Sequence, residues 1–123
     1  MMKRIHGFVA LQKKVILSIC FLTSIVMIIQ RDHVLSVLGS HKIDLEQRYH
    51  LKKVGIFGSV ARNSAKDDSD IDIVVEMEPN ILLKVQLKEE LEQLLGRKVD
   101  LIRYWKRMNP YLKARIDREA RYV

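Results

Sequence analysis

The hydrophobic residues after position 30 form short patterns of two kinds that alternate along the chain. Apolar runs at 54–57 and 99–102, and a polar–apolar alternation over 70–75, predict three strands. Around these segments, apolar residues recur every three or four positions, which predicts helices. The two patterns together predict an α/β (α+β) fold, in which helices pack against a small sheet.

Two short helices are predicted before the first strand. Asp32 is a favourable N-cap for a helix that contains Val34 and Leu38, and Gly39 predicts the end of that helix. Residues 40–49 are predicted to form the second helix. Gly39 is therefore predicted to separate two short helices in this region.

Two longer helices are predicted between and after the later strands. Leucines recur at spacings of four, four and three within 81–95, and Gly96 predicts the end of this helix. Asn109 followed by Pro110 is the pattern of an N-cap with proline at the first helical position. The apolar face of this last helix is predicted to continue to Ala120.

An apolar run from Val15 to Ile29 precedes the predicted domain. It is shorter than the roughly 20 residues of a membrane-spanning helix, and no small-residue cleavage site follows it. Three interpretations stay open: a natural start at Met27, a helix that packs on the domain or a partner, or a membrane anchor. We therefore divide the chain into an apolar N-terminal extension, 1–26, and a domain, 27–123; no membrane contact is expected outside this run.

Size and charge limit the function classes only broadly. The 123 residues suffice for one small domain, and the net charge is +7 from 22 basic and 15 acidic residues. Four of those basic residues precede Met27, so the excess of positive charge in the domain is small. This excess does not distinguish between ATP, RNA and an acidic protein as the ligand. No direct DNA binding is expected. The single cysteine, Cys20, fits a reducing, cytoplasmic location.

A glycine–serine pair and two aspartates carry the clearest chemical signal. Gly58-Ser59 follows the first predicted strand, and ten residues separate Ser59 from Asp70, which opens an Asp-x-Asp pattern with Asp72. Glycine lets backbone approach a phosphate, a helix starting there presents N–H groups to an anion, and the serine hydroxyl adds a donor. Positions i and i+2 of a strand face one way, so the two carboxylates suit Mg²⁺ beside a triphosphate.

Asp100 is the candidate third carboxylate. It lies in a strand with apolar neighbours, where an unpaired carboxylate is costly unless it is bound to a metal. If that strand lies beside the Asp-x-Asp strand, the three acids form a site for two metal ions. Asp100 is then placed to accept the proton of an attacking hydroxyl. The alternative is an exposed carboxylate on an edge strand.

Other patterns do not compete with this site. There is no P-loop or G-x-G-x-x-G sequence, and the Asp-x-Asp region lacks the glycine and closing glutamate of an EF-hand. The histidines have no ligand spacing. Basic residues are frequent in 103–121, and we interpret them as a solvated face rather than an RNA site.

Gly58-Ser59, ten residues and then Asp70-x-Asp72 resembles the signature of the polymerase-beta-like nucleotidyltransferase superfamily. The run 57–62, the strand at 99–102 and the last helix are similar to its minimal branch, which includes the MntA-type antitoxins of HEPN/MNT toxin–antitoxin pairs. The resemblance implies a nucleotidyltransferase fold with a mixed sheet. It also implies that three acids bind metal and act in catalysis: Asp70, Asp72 and Asp100. Four residues are implied to bind the nucleotide: Gly58, Ser59, Arg62 and Ser69.

The resemblance also implies an activity, cofactors and a partner. Antitoxins of this branch transfer AMP from ATP to a tyrosine of the HEPN ribonuclease, so two Mg²⁺ ions, ATP and a HEPN-domain toxin in a hetero-oligomer are expected. Two alternatives remain: an antitoxin that neutralises its toxin by binding alone, and nucleotidyl transfer to a small molecule. Asn63 departs from the glycine usual after Arg62, but asparagine also tolerates a left-handed backbone.

Overall fold

The computed structural model describes residues 30–66 and 69–123, so the expectations for the apolar run at 15–29 lie outside the described residues. Three of its four strands are those predicted, each within one residue at either end. In chain order the elements are α1 (Gln30–Tyr49), β1 (Lys53–Phe57), α2 (Gly58–Ala61), β2 (Ile71–Glu76), α3 (Ile81–Leu95), β3 (Val99–Arg103), α4 (Pro110–Glu119) and β4 (Arg121–Tyr122). None of the helices in the described part of the chain has both the length and the apolar character to cross a membrane.

The four strands form one sheet in the order β3-β2-β1-β4. β1 pairs antiparallel with β2 and with β4, whereas β2 pairs parallel with β3. The parallel pair requires a crossover, which α3 provides, since it connects β2 to β3. The sheet is therefore mixed, and the predicted fold class is confirmed.

The two short helices predicted before β1 are a single helix, α1, so the prediction of an end at Gly39 was wrong. Glycine in a helix interior costs about 1 kcal/mol relative to alanine, which tertiary packing readily outweighs. Here Val34, Leu38 and Leu45 are buried along one side of α1, on both sides of the glycine. Burial of this continuous face keeps the helix intact.

The end of the chain also differs from the prediction. α4 stops at Glu119, and Ala120 is extended rather than helical, so the expected continuation of the helix was wrong. The next two residues form β4, which pairs with β1 at Gly55. A β-carbon on Gly55 would lie 2.5 Å from the carbonyl oxygen of Arg121, so this close approach requires glycine.

α3 ends at Gly96 and α4 begins after Asn109, as predicted, and the start of α3 is capped by Asn80, which the sequence analysis did not single out. The side chain of Asn80 accepts a hydrogen bond from the Leu83 amide at 3.0 Å, and Gly96 ends α3 with a left-handed φ of 67°. The side chain of Asn109 accepts from the Leu112 amide at 3.2 Å, with proline at the first helical position.

Helices cover both faces of the sheet. The larger hydrophobic cluster joins α1 and α3 to one face, through residues such as Leu38, Leu87 and Ile73. The smaller cluster joins Val74 of the other face to Ile116 of α4. Because side chains alternate along a strand, the even-numbered residues of β2 face α4. This places α4 over the strand face that includes the Asp-x-Asp carboxylates.

Candidate active site

Two of the predicted carboxylates lie side by side on neighbouring strands. Asp72 of β2 is in register with Asp100 of β3, and Val74 is in register with Ile102, two residues further along both strands. Val74 and Ile102 belong to the cluster under α4, so the alternation of side chains turns both aspartates to that same face. Asp100 is exposed on an edge strand, and that strand lies beside β2, which meets the condition set by the sequence for a shared carboxylate site.

Asp70 lies at the entrance to β2 and is exposed. Its charge acts on Asp72, so the three acids share one end of the sheet. Within 30–66 and 69–123, however, no three acidic, histidine or cysteine side chains come close enough together to hold a metal ion by themselves. The structure therefore brings the acids to one place without forming a closed three-carboxylate cage.

The Gly58-Ser59 corner lies against Asp72. Phe57, the last residue of β1, is paired with Asp72 across the antiparallel ladder, so the chain turns into α2 directly beside this carboxylate. Gly58 has a φ of 72°, and a β-carbon there would lie 2.2 Å from Asp72 Oδ2. Its amide donates a hydrogen bond to Glu119 Oε2 at 3.2 Å, so this N–H is already paired. The glycine is thus required by the neighbouring carboxylate as well as by its own backbone.

Ser59 is half-buried in the first turn of α2. Its carbonyl accepts the Ser64 amide at 2.8 Å, which folds the following loop back onto the corner. Its hydroxyl makes no hydrogen bond to any other described residue, so it is available to a ligand. Asn63 has a φ of 57°, which confirms that asparagine adopts the left-handed backbone needed in this loop.

Ser69, predicted to bind nucleotide, makes its contacts within the loop. Its hydroxyl accepts the Lys66 amide at 2.9 Å, and its carbonyl accepts a hydrogen bond from Arg97. These bonds join Ser69 to Lys66 and to Arg97, which lies two residues before β3.

Arg62 is held by a residue that the sequence did not single out. Its Nη1 donates to Glu119 Oε1 at 2.8 Å, and the other oxygen of Glu119 accepts from Gly58 and from Arg115 Nε, the latter at 3.3 Å. The Glu119 side chain is only 18% exposed. One carboxylate therefore connects α2, the loop after it and α4.

Arg115 is a second residue at this corner that the sequence analysis did not place there. It was predicted to belong to a solvated face, but its Nη2 lies 3.2 Å from the position of a β-carbon on Gly58, next to Asp72. Its guanidinium also lies over the Phe57 ring, 5.7 Å from the ring centroid. The sequence contains one signal, since Arg115 and Glu119 are four residues apart on a helix. This spacing does not indicate which end of the sheet Arg115 and Glu119 contact.

The electrostatic balance of the site is set at Asp72. Burial raises the pKa of its carboxyl, and the charges of Asp100 and Asp70 raise it further. The nearby cations Arg115 and Arg62 oppose this effect without cancelling it. A carboxylate that burial and like charges destabilise is more favourable when a cation binds beside it. The site is therefore suited to a metal ion or a metal-bound ligand.

Comparison with known proteins identifies the family. The nucleotidyltransferase domain family matches residues 38–123, most of the chain. The protein adenylyltransferase MntA of Thermococcus cleftensis is 46% identical over 69 residues, covering 54% of this chain and 70% of that protein. A Methanocaldococcus jannaschii protein provisionally named a protein adenylyltransferase is 43% identical over 89 residues, covering 71% of this chain and 91% of that protein.

Solved structures share the fold. One described provisionally as a minimal nucleotidyltransferase is 35% identical with a TM-score of 0.60, over 72% of this chain and 95% of that chain. A chain of a toxin–antitoxin with AMP-PNP is 22% identical with a TM-score of 0.57, over 68% of this chain and 69% of that one. A chain of the complex of tri-AMPylated Shewanella oneidensis HEPN toxin with MNT antitoxin is 20% identical with a TM-score of 0.52, over 72% of this chain and 70% of that one.

The sequence match and the fold agree with the arrangement of acids beside a glycine–serine corner. The chain is therefore a nucleotidyltransferase, a member of the nucleotidyltransferase domain family in its minimal, MntA-like branch.

Proposed function

We propose that this protein is the antitoxin of a HEPN/MNT pair and transfers AMP from Mg²⁺-bound ATP to a tyrosine hydroxyl of its HEPN partner. The observation that carries the proposal is the pairing of Asp72 with Asp100 next to the Gly58 corner. Two carboxylates on one face of a sheet, beside a backbone corner with an available serine hydroxyl, supply what a metal-bound triphosphate needs.

The residues present fit Mg²⁺. This ion is usually held by one or two carboxylates together with substrate phosphates and water, rather than by a closed cage of protein ligands. Asp72 and Asp100 supply such a pair, and Asp70 lies close enough to act on Asp72. Burial, together with the charges of Asp100 and Asp70, raises the pKa of Asp72, so a cation bound there would stabilise its charged form. When bound, the ion would neutralise charge on the phosphates and lower the barrier to attack at the α-phosphorus.

Ser59 and Asp100 would have different roles in the transfer. Ser59 would donate its hydroxyl hydrogen to a phosphate oxygen of the triphosphate. Asp100, exposed on the edge strand, would accept the proton of the acceptor hydroxyl. The hydroxyl oxygen forms a bond to the α-phosphorus, the bond from that phosphorus to the bridging oxygen breaks, and pyrophosphate leaves.

The partner and acceptor are suggested by the relatives. The relatives described above are named protein adenylyltransferases, and one structural neighbour contains an AMPylated HEPN toxin with its MNT antitoxin. The exposed position of Asp100 supports an acceptor as large as a protein, because it allows the acceptor to approach from solvent at the sheet edge. A small acceptor would favour a more enclosed site.

The test is the intact mass of the purified HEPN partner after incubation with this protein, ATP and Mg²⁺. We expect a gain of one or more AMP units, and tandem mass spectrometry should place the first of them on a tyrosine. Chelation of Mg²⁺ with EDTA should abolish the gain, as should the double variant Asp70→Asn/Asp72→Asn. Glu89→Gln, an exposed carboxylate on α3, is the matched control and should leave the gain unchanged.

Two outcomes would contradict the proposal. Neutralisation of the toxin by Asp70→Asn/Asp72→Asn, with no adduct on the toxin in any sample, would show that binding alone silences it. An adduct on a residue type other than tyrosine would disprove the proposed acceptor while leaving the transfer itself intact.

A further inference from the structure

We propose that Arg115 binds the triphosphate of the nucleotide and that Glu119 is the positioning residue that holds it there. This inference rests on the proposed function, because it concerns the same nucleotide. It adds two residues that neither the sequence motif nor the comparisons assign. Both belong to α4, which contributes no residue to the Gly-Ser and Asp-x-Asp motif.

The contacts of Glu119 support a positioning role. Its two oxygens accept hydrogen bonds from the Gly58 amide at 3.2 Å, from Arg62 Nη1 at 2.8 Å and from Arg115 Nε at 3.3 Å. Burial by itself raises the pKa of the Glu119 carboxyl, but Arg62, Gly58 and Arg115 together bring it below its ordinary value. Glu119 therefore remains charged at neutral pH and fixes the positions of its three donors.

The geometry of Arg115 leaves its outer nitrogens for a ligand. Glu119 takes the Nε hydrogen, and no hydrogen bond from Nη1 or Nη2 to another described residue is formed. Nη2 lies 3.2 Å from the β-carbon position of Gly58, and Asp72 Oδ2 lies 2.2 Å from that same point. The free edge of the guanidinium is thus at the corner where the motif places the phosphates. Such a planar group binds phosphate oxygens through two hydrogen bonds at once.

The concentration of negative charge in the site favours a positively charged side chain beside the triphosphate. Three aspartates and a triphosphate repel one another, and the cations that act on Asp72 are Arg115 and Arg62. Arg62 points its Nη1 at Glu119, whereas Arg115 uses only Nε for that contact. Both arginines keep N–H donors, but Arg115 is the one whose Nη2 lies at the corner formed by Gly58 and Asp72, 3.2 Å from the β-carbon position of Gly58.

Simple electrostatics and positioning predict opposite effects for Glu119. If Glu119 acted only through its charge, its removal would strengthen the binding of an anionic ligand. If it positions Arg115, its removal would weaken binding, because the guanidinium loses its fixed orientation. The sign of the change in affinity therefore distinguishes the two roles.

The experiment measures the affinity of the full chain for a fluorescent ATP analogue, mant-ATP, with Mg²⁺ present. The variants are Arg115→Gln, Glu119→Gln and the double variant. Arg118→Gln removes the same charge from an exposed position of α4 and is the matched control. Glutamine retains the size of glutamate and an oxygen for the Gly58 amide, and the thermal midpoint of each variant checks that it is folded.

We expect Arg115→Gln to weaken binding by at least about tenfold, since even one of its two charge-assisted hydrogen bonds contributes that much. Glu119→Gln should weaken binding several-fold, and the double variant should be no weaker than Arg115→Gln alone. This lack of additivity is the sign that Glu119 acts through Arg115. A purely structural role of Glu119 would lower the thermal midpoint and add to the effect of Arg115→Gln.

Three results would overturn the inference. These are unchanged affinity in Arg115→Gln, equal or tighter binding in Glu119→Gln, or fully additive effects in the double variant. If the wild-type chain and Arg118→Gln bind mant-ATP while Arg115→Gln binds equally well, only this inference fails. If the wild-type chain does not bind the nucleotide at all, the proposed function fails with it.

Discussion

The carboxylate of Asp72 lies in the space that a side chain on Gly58 would need. A β-carbon at Gly58 would be 2.2 Å from Asp72 Oδ2 and 3.1 Å from its Cγ, well inside van der Waals contact. The two residues are 14 positions apart in sequence and meet because Phe57 pairs with Asp72 across β1 and β2. Glycine in this motif therefore makes room for the carboxylate that we propose as a metal ligand.

Gly58→Ala should impair both stability and nucleotide binding. The methyl group would displace Asp72, and alanine at a φ of 72° is strained by about 1–2 kcal/mol. We expect the free energy of unfolding to fall by at least about that amount, as measured by urea denaturation. The affinity for Mg²⁺-bound mant-ATP should fall in parallel, and unchanged stability together with unchanged affinity would contradict the close contact.

Gly39→Ala should have the opposite effect. Gly39 lies in the interior of α1, and a β-carbon there would meet nothing within 4 Å. Alanine removes the helix penalty of glycine and restricts the unfolded chain, so the free energy of unfolding should rise by about 0.5–1 kcal/mol. Because the chemical change is the same as at Gly58, this variant is also the matched control for Gly58→Ala. A destabilised Gly39→Ala would argue against a continuous α1.

Asp100→Asn should slow transfer by orders of magnitude with little effect on folding. Asn cannot accept the proton of the acceptor hydroxyl, and loss of such a base typically reduces the rate by about 10²–10⁴-fold. The substitution also removes a like charge that raises the pKa of Asp72, so the thermal midpoint should not fall. The initial rate of AMP incorporation into the HEPN partner, followed by mass spectrometry, is the measurement.

The control for Asp100→Asn is Glu78→Gln, an exposed carboxylate beyond the far end of β2. It should transfer AMP at the wild-type rate. Wild-type transfer by Asp100→Asn would remove Asp100 from the catalytic set and leave only the Asp-x-Asp pair.

Glu90 should make the stability of the protein depend on acid pH. The hydrogen bonds from Arg48 hold the pKa of the Glu90 carboxyl below its ordinary value of 4.5; burial opposes this, and a 2.8 Å bond from Tyr49 assists it. Since the folded-state pKa is lowered, the stabilisation is complete above 4.5 and is lost as the pH falls through the lowered value. This contact joins α1 to α3.

The measurement is the urea midpoint of wild type and Glu90→Gln between pH 7 and pH 3. Wild type should be the more stable at neutral pH, and the difference should shrink below pH 4.5. Glu89→Gln, its exposed neighbour, controls for the loss of one charge. A difference that stays constant down to pH 3 would contradict the ion-pair explanation.

Local signals in the sequence were sufficient for much of the secondary structure. The helix within 81–95 and its end at Gly96 were predicted correctly, because Gly96 and the side chain of Asn80 act on residues only three or four positions away. Gly39 carried the same kind of signal and was misleading, because burial of Leu38 and Leu45 outweighs the small cost of glycine. Local preferences therefore predict an element only where distant packing does not oppose them.

By itself, the sequence determined the three core strands, the position of α3 and the spacing of the Gly-Ser and Asp-x-Asp motif. These features depend on neighbours within a few residues or on the spacing of residues along the chain. Strand order, the register of Asp72 with Asp100, and the approach of Arg115 and Glu119 to Gly58 depended on the tertiary structure. The physical reason is that these contacts join residues far apart in the chain. The crossover through α3 brings β3 beside β2, and the packing of α4 on the sheet brings Arg115 and Glu119 to Gly58.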